Sequence, residues 1–368
     1  MPLMLKVASF IGGPLRKDRG CTDRSRQRPA DRQGGMPPGR FDGTRPPRDS
    51  RTTRATVARP RMTYLPLIQT IFCLLLILWL AFRPFAGRWR WVQAGAVGLA
   101  IAGVGLVGMW QWPSVHAPWV MGGLWALAAL FGLRRSVRNR SRLLAGGAVL
   151  ALAGIGAGLV VVALDGRRAP EGTLADLAPP LPEGVYWVAN GGRHTLINAH
   201  LAVARLPADR AERWRGQMHG VDLVAIDDLG RRKTEGQAED PSRYLIYGRP
   251  VLAPCAGRVV ATEAALPDMP VSQMDIEFPL GNHVILDCGG LWVVLAHLRP
   301  GSIEVSEGQE VGQGAPLGEV GNSGRSSEPH LHIHVQEPGL PDSPVAAAPR
   351  WMRIAGQFLA RGHLLRLR

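Results

Sequence analysis

Histidines are concentrated in the second half of the chain. Eight of the ten lie between His194 and His334, and in the densest stretch, from Pro329 onward, histidine alternates with an apolar residue. In a β-strand alternate residues share a face, so His330, His332 and His334 are predicted to point one way while the intervening residues point into a core. Two imidazoles at this spacing can serve one site, one binding a metal and the other acting on a reacting group beside it.

Two further positions carry side chains suited to chemistry. Asp222 lies in an otherwise apolar run, where a carboxylate is costly unless it is paired or bound to a metal. His297 closes a second apolar run. Taken alone, a histidine at that place is more typical of a hydrogen-bonded core residue than of a catalyst.

Short alternating runs separated by Gly, Pro and Asp surround these residues and predict strands. The predicted strands are Val251–Thr262, Asn282–Asp287, Leu291–His297, Ala315–Val320 and His330–Gln336. No amphipathic helix longer than three turns is predicted between Val185 and Leu340. The sequence therefore predicts a mainly β C-terminal domain with sheets and long loops.

Four apolar runs without a charged side chain precede this domain. They are residues 64–82, 91–110, 117–133 and 143–164. A bilayer core ~30 Å thick needs about 20 apolar residues of helix, with roughly 17 to 25 tolerated. The runs therefore predict an N-terminal all-α transmembrane region of four helices in contact with membrane lipid.

Arginines in the short loops indicate the orientation of these helices. Residues 83–90 contain three Arg and residues 134–142 contain five, whereas residues 111–118 contain none. The first and third loops are therefore expected in the cytoplasm. An even number of spans then places the C-terminal domain in the periplasm, on a multi-pass protein of the bacterial inner membrane.

The formal net charge of +14 is unevenly distributed along the chain. Residues 1–61 contain 15 basic and 5 acidic side chains, and residues 62–168 contain 10 Arg and one acid. From Ala169 onward 23 acidic residues outnumber 18 basic ones. Because the predicted β domain is mildly acidic and no basic face, aromatic platform or recognised binding motif accompanies the charge, no nucleic-acid partner is predicted.

This partition predicts five segments. They are a disordered basic segment at residues 1–61, a four-helix transmembrane region at 62–164, a linker at 165–183, a β domain at 184–340 and a C-terminal extension at 341–368. The first segment lacks the layout of a signal peptide, and its charge should resist translocation. We hypothesise that the natural start is Met62 and that the preceding residues are not translated.

Several stretches resemble the lysostaphin-like, LytM-type zinc endopeptidases of metallopeptidase family 23. They are Gly281 to Asp287, Leu295 to Ser302, Gly308 to Gly318, and Gly321 to His332 with its Asn-Ser-Gly and Pro-His-Leu-His elements. The resemblance covers roughly residues 185–336. It implies a compact fold of antiparallel sheets, LytM-like and built as a duplicated hybrid motif, with one Zn²⁺ in a groove. It also implies hydrolysis of amide bonds in the cross-link peptides of peptidoglycan by a membrane-anchored enzyme.

The family pattern places two zinc ligands, a His and an Asp, in an early His-x-Gly-x-Asp strand and a third at the second His of the late His-x-His. Asp222 and His332 fit this pattern. The position four before Asp222 is Met218, whose thioether is a poor zinc ligand. We expect His200 to replace it, with His219 as the alternate.

The two replacements differ in geometry. His219 lies three residues before Asp222 and would face the opposite side of a regular strand unless a bulge re-aims it. His200 follows a Gly-Gly turn in the same domain. His194 as the donor, or an incomplete site, are the remaining alternatives.

The resemblance also assigns the other histidines. His297 and His330 match the family's two non-ligand histidines, which would orient or deprotonate the water and stabilise the oxyanion. His334 either tunes the surroundings of the ligands or is a surface residue. In a periplasmic domain Cys255 and Cys288 are candidates for a disulfide, with a zinc–thiolate site as the rival interpretation.

Two alternative functions remain open at this point. One is a catalytically inactive LytM-like module that binds the cell wall or activates an amidase. The other is a module of the lipoyl or biotinyl hairpin type, suggested by the turn rhythm of residues 308–318. The chain has one Lys after residue 17, Lys233, which counts against cofactor attachment. No protein partner is indicated.

Overall fold

The computed structural model describes residues 57–58, 64–111, 114–133, 142–237, 239–340 and 343–368. Four long helices follow the short strand at Val57–Ala58: α1 Leu65–Phe82, α2 Trp89–Val107, α3 Ala117–Leu133 and α4 Arg142–Gly166. Three of them, α1, α2 and the 146–166 part of α4, are long and apolar enough to cross a membrane, while α3 is shorter. The predicted apolar helical region is confirmed, with three full-length spans among the described residues where four were expected.

The remainder is mainly antiparallel β structure, which confirms the predicted fold class. The strands are β1 Val57–Ala58, β2 Ala175–Leu177, β3 Gly184–Asn190, β4 Val221–Ala225, β5 Pro250–Leu252, β6 Gly257–Glu263, β7 Met274–Asp275, β8 Asn282–Asp287, β9 Trp292–Leu298, β10 Glu310–Val311, β11 Pro316–Glu319, β12 Leu331–Gln336, β13 Pro349–Arg350, β14 Met352–Ile354 and β15 Leu364–Leu367. A short helix, α5 at Ala208–Arg213, lies between β3 and β4.

One sheet holds most of these strands, in the order β10-β6-β8-β9-β12-β4-β3-β15, with β13 also paired to β12. One face of this sheet covers a closed apolar core, in which Leu331, Ile333 and Val335 of β12 are completely buried. Because side chains alternate along a strand, the intervening histidines of β12 share the opposite face. The alternation predicted for this strand is therefore present.

The predicted strand Val251–Thr262 is divided in the structure. Its first part is β5, which pairs with β11, and its second part is β6, which pairs with β8 and β10. The residues between them form a turn. In this turn Cys255 is joined by a disulfide to Cys288, which follows β8, with 5.9 Å between their Cα atoms.

The stretches we set apart as a linker and a C-terminal extension take part in the β structure. Strand β2, within 165–183, pairs in parallel with β14. Strand β15 pairs with β3 and forms one edge of the main sheet. Our expectation for residues 1–61 lies outside the described residues, except that β1 pairs with β7.

Candidate metal centre

Sheet register gathers three polar side chains in one row. Asp222 is the second residue of β4 and pairs with His332 of β12 on one side and with Asn190, the last residue of β3, on the other. Directly paired residues in antiparallel strands share a face. The Asp222 carboxylate is 4% exposed, so it lies buried between an imidazole and an amide.

Asp222 is the acceptor on which the row converges. One of its oxygens, Oδ1, lies 2.9 Å from His332 Nδ1 and 3.0 Å from His200 Nε2. The other, Oδ2, accepts a hydrogen bond from Asn190 Nδ2 at 2.8 Å. The carboxylate thus has defined partners for both oxygens.

His200 comes from outside the sheet. After β3 the chain turns at Gly191 and Gly192 and then enters a 3₁₀ helix at Ala199–Arg205. Asn198 caps this helix by accepting a hydrogen bond from the His200 backbone N–H, and its amide donates to the carbonyls of Gly192 and Gly220. The buried cap therefore fixes the helix that carries His200 above the start of β4.

A chain of side chains on β12 sets the tautomer of His332. Gln336 donates its amide hydrogens to backbone carbonyls, which leaves its Oε1 to accept from His334 Nε2 at 3.3 Å. His334 Nδ1 is then an acceptor, 2.9 Å from His332 Nε2. His332 consequently carries its proton on Nε2 and directs the lone pair of Nδ1 toward Asp222.

This arrangement has the chemistry of a cation site. His200, Asp222 and His332 each offer one ligand atom, all within 4.8 Å of one another. An imidazole lone pair 2.9 Å from a carboxylate oxygen places two acceptors face to face, which favours a cation between them. Two nitrogens and one carboxylate oxygen are the donors that suit Zn²⁺.

Glycine at position 220 makes room for this cluster. A Cβ there would lie 2.6 Å from His332 Cε1 and 3.2 Å from His200 Cδ2. Both imidazoles therefore pack against the bare backbone that leads into β4. Gly220, which stands at the glycine of the His-x-Gly-x-Asp pattern, is therefore required by this close approach.

His330 and His297 flank the cluster with the same tautomer. His330 Nδ1 lies 2.8 Å from the Glu328 carbonyl oxygen, and His297 Nδ1 lies 2.9 Å from that of Ser323. Because a carbonyl only accepts, each ring carries its proton on Nδ1 and keeps the Nε2 lone pair. His330 Nε2 lies 3.6 Å from Asp222 Oδ1, and the His297 and His330 rings are 4.7 Å apart.

Burial sets the protonation states in the site. It lowers the pKa of His332 to about 4 and holds the pKa of His297 and of His334 well below the ordinary value. Burial alone would raise the pKa of Asp222, but the neighbouring His200 and His330, together with the hydrogen bond from His200, outweigh it and hold that pKa well below the ordinary value. At neutral pH the site therefore combines the neutral imidazole of His332 with an ionised carboxylate, as metal binding requires.

The alternate donors lie elsewhere. His219 ends a 3₁₀ helix just before β4, and its ring stacks on Trp351 with centroids 3.5 Å apart. His194 accepts a hydrogen bond from the Leu196 backbone N–H. Neither belongs to the group of donors around Asp222. Cys255 and Cys288 are also outside it, because they form the disulfide.

Asn190 and Asn198 were missed by the sequence reasoning. Both lie beside the Gly191-Gly192 turn, and a polar side chain that ends an apolar strand before such a turn was the available signal. Their partners, however, are separated from them by the pairing of β3 with β4, which a local pattern does not show.

Residues 245–344 match the family model of Peptidase family M23. His297, His330 and His332 lie inside this range, whereas His200 and Asp222 precede it. The resemblance expected from the sequence is confirmed, and this part of the chain is an M23 peptidase domain. A search of curated proteins finds no significant match.

Solved structures similar to the chain include several peptidases. One is a mutant of the catalytic domain of the prophage-encoded M23 protein EnpA from Enterococcus faecalis, at 21% identity over 36% of this chain and 75% of that chain, TM-score 0.24. A second is the catalytic domain of the antimicrobial peptidase lysostaphin from Staphylococcus simulans, at 22% identity over 35% and 73%, TM-score 0.23. A zinc-containing peptidase from Vibrio cholerae gives 22% over 34% and 37%, TM-score 0.21, so the chain spans little more than a third of that protein.

Proposed function

We propose that the protein is a membrane-anchored zinc metalloendopeptidase that hydrolyses amide bonds in the cross-link peptides of peptidoglycan. The observation that carries this proposal is the convergence of His200, Asp222 and His332, with the unprotonated Nε2 atoms of His297 and His330 beside them. The M23 family match supports a peptidoglycan-acting metallopeptidase.

His200, Asp222 and His332 would hold the Zn²⁺. When bound by three protein ligands, zinc keeps a position for water, lowers the pKa of that water to about 7 and polarises a carbonyl. In this proposal His330 takes a proton through Nε2, because Glu328 fixes its Nδ1–H. His297 stands on the other side of the row and would orient the water or stabilise the oxyanion.

The helical region supports membrane anchoring. Large apolar side chains of the helices face outward, among them Leu75 with 60% and Leu127 with 63% exposure, and lipid would cover such a surface. The α2–α3 connection touches the β domain, where the Val115 backbone N–H faces the Gly230 carbonyl. This agrees with our proposal that the loop at residues 111–118, which contains no arginine, and the catalytic domain lie on the same, periplasmic side of the membrane.

The inactive-module alternative is not favoured, because the cluster contains a full set of three donors despite Met218. An inactive module that binds the cell wall without a metal would be expected to lack at least one of these three donors. The lipoyl-type alternative is not supported by the family match.

The test uses the full chain purified in detergent. We expect one Zn²⁺ per chain by elemental analysis and, on incubation with purified peptidoglycan, new amino and carboxyl termini in the released muropeptides by mass spectrometry. Asp222→Ala and His332→Ala should lose both metal and turnover. Metal-free parent protein that binds peptidoglycan without releasing products would contradict the proposal.

A further inference from the structure

The segment between β14 and β15 carries a buried arginine that belongs to no catalytic motif. Arg361 is 7% exposed, and its guanidinium donates to four acceptors. Nε donates to Ala189 O at 2.8 Å, Nη1 to Leu196 O at 3.1 Å and to Val107 O at 3.0 Å, and Nη2 to Asn190 Oδ1 at 2.5 Å.

Two of these acceptors lead to the metal centre. Asn190, held by Arg361 through its oxygen, donates its amide hydrogen to Asp222 Oδ2. The same Asn190 oxygen lies 3.4 Å from the backbone nitrogen of Ala199, where the 3₁₀ helix bearing His200 begins. Leu196 O belongs to the turn just before that helix. One guanidinium therefore holds the supports of both His200 and Asp222.

These hydrogen bonds help to position His200, the donor that replaces the histidine expected at position 218. Asp222 and His332 are fixed by sheet register, but His200 arrives from a segment outside the sheet. Such a segment needs contacts of its own if its imidazole is to stay within reach of the carboxylate. Groups that orient metal ligands in this way act through hydrogen bonds to the ligands or their supports.

The charge of Arg361 fits the same role. Burial lowers its pKa to about 10, while Asp222 opposes that shift, so the guanidinium is charged at neutral pH. No carboxylate among the described residues forms a direct ion pair with it. The negative charge nearest along its hydrogen bonds is Asp222, which Arg361 reaches through the Asn190 amide.

The remaining contact leads to the apolar helices. Val107 is the last residue of α2, and its carbonyl is one of the helix-terminal acceptors without an intrahelical partner. Arg167, just after α4, donates to the carbonyls of Leu106 and Arg361. A cation at a helix C-terminus is favourable, and here two arginines share one helix end.

We propose that Arg361 is a positioning residue of the metal centre. Through Asn190 it sets Asp222 and the His200 helix, and through Val107 O it ties them to the end of α2. This inference rests on the proposed function in one respect, because it treats the cluster as a metal site.

The test measures metal binding in the full chain, without any turnover. Zn²⁺ affinity is determined by chelator competition, and the ligand geometry is followed by the visible absorption of the Co²⁺-loaded protein. We expect Arg361→Lys and Asn190→Ala each to weaken zinc binding by about 10- to 100-fold and to alter the Co²⁺ spectrum. Lysine rescues little because it lacks the planar fork. Arg366→Ala, at an exposed arginine of neighbouring β15, is the control and should match the parent.

The double variant Arg361→Ala with Asn190→Ala should bind zinc about as tightly as whichever of the two single variants has the lower zinc affinity. The two losses should not add, because both residues act along one path. If removal of Arg361 prevents folding, Asn190→Ala decides, because Arg361 then keeps its three backbone acceptors. Suppose that folded Arg361→Lys and Asn190→Ala keep the parental zinc affinity and Co²⁺ spectrum while Asp222→Ala loses the metal. That result would overturn the positioning role of Arg361 and leave the proposed function standing. Parental metal binding in Asp222→Ala would instead overturn the proposed function.

Discussion

At the scale of single residues, His297 combines a functional position with an unfavourable backbone. Its φ of +66° lies in the left-handed region, which costs an ordinary side chain roughly 1 to 2 kcal/mol. The backbone is held there from both sides, since its N–H donates to Leu280 O and its carbonyl accepts from Gly321 N–H. The resulting turn at the end of β9 aims the imidazole at His330.

A pair of variants separates the side chain from the backbone. Asparagine tolerates the left-handed region better than most residues, whereas glutamine does not. Both His297→Asn and His297→Gln should reduce peptidoglycan hydrolysis by about 10²- to 10⁴-fold with zinc content unchanged. His297→Gln should unfold at a lower temperature than His297→Asn; equal activity to the parent in either would show that the imidazole is not used.

His219 makes a pH-dependent contribution to stability. Burial lowers its pKa to about 4, so on acidification the unfolded chain, with an ordinary pKa near 6.5, takes up the proton first. The stabilisation is full above about pH 6.5 and is lost as pH falls toward 4. Between pH 7 and pH 5 the loss is roughly 1 to 2 kcal/mol.

His219→Phe keeps the stacking on Trp351 and removes the proton site. We expect the drop in thermal midpoint between pH 7 and pH 5 to be smaller in His219→Phe than in the parent. The other buried histidines remain in both proteins, so the difference isolates residue 219. An identical drop would mean that His219 does not titrate in this range.

The residues of the site differ in how far sequence could reveal them. Asp222, His297, His330 and His332 stand in motifs whose spacing is local. His200 could be favoured over His219 because strand alternation turns His219 away. Arg361 lies 171 residues from Asn190, and only the folded sheet joins them, so no spacing rule could have found it.

At the scale of elements, the approach of the 3₁₀ helix to β4 depends on Gly220. Gly220→Ala should displace the His332 or His200 ring and weaken zinc binding by at least about tenfold. Gly312→Ala, where a Cβ meets nothing within 4 Å, is the matched control. Zinc affinity measured by chelator competition checks this, and equal affinity in both variants would contradict the close-approach argument.

The disulfide joins elements remote from the site. It links the β5–β6 turn to the β8–β9 hairpin, at the opposite end of β9 from His297. Closing a loop of this length (sequence separation 33) stabilises a fold by typically 2 to 4 kcal/mol. Cys255→Ser with Cys288→Ser should lower the thermal midpoint while zinc affinity stays unchanged. Reduction of the parent should reproduce the effect; a loss of zinc would instead support the thiolate interpretation.

The bounds of a strand could be predicted where the alternation of apolar residues along the sequence coincides with the segment that pairs in the sheet. Strand β8 has the bounds predicted from alternation, and β9, β11 and β12 differ by one or two residues. The prediction of Val251–Thr262 as one strand is wrong, because its run of apolar and small residues continues through the Pro254-Cys-Ala-Gly257 turn without a break. The two halves pair with different strands, which is a long-range choice that alternation does not encode.

At the scale of the whole molecule, the helices and the β domain meet at more than the covalent connection. Arg232, buried in the β domain, donates to the carbonyl of Gln111 in the α2–α3 connection and pairs with Glu328. The Glu328 carbonyl in turn holds His330. Together with Arg361, this places a tie from the helical region on each side of the candidate metal centre.

The proposed membrane sidedness can be tested at the α2–α3 connection and the third loop. If the connection 111–118 is periplasmic, Ser114→Cys should react with a membrane-impermeant maleimide in spheroplasts, whereas Ser136→Cys, in the Arg-rich third loop, should react only after lysis. The parent chain provides the background. Labelling of Ser136→Cys in intact spheroplasts would contradict the proposed orientation.

The order of the residues along the chain gives Arg361 a consequence for biogenesis. In the proposed periplasmic orientation the chain is exported from its N-terminal side, so His200 and Asp222 would cross the membrane well over a hundred residues before Arg361. Strand β15, which closes the sheet beside β3, also follows later. A nascent chain would therefore carry an unfinished site past the bilayer, and hydrolytic competence would begin only after the helices and the late strand have come together.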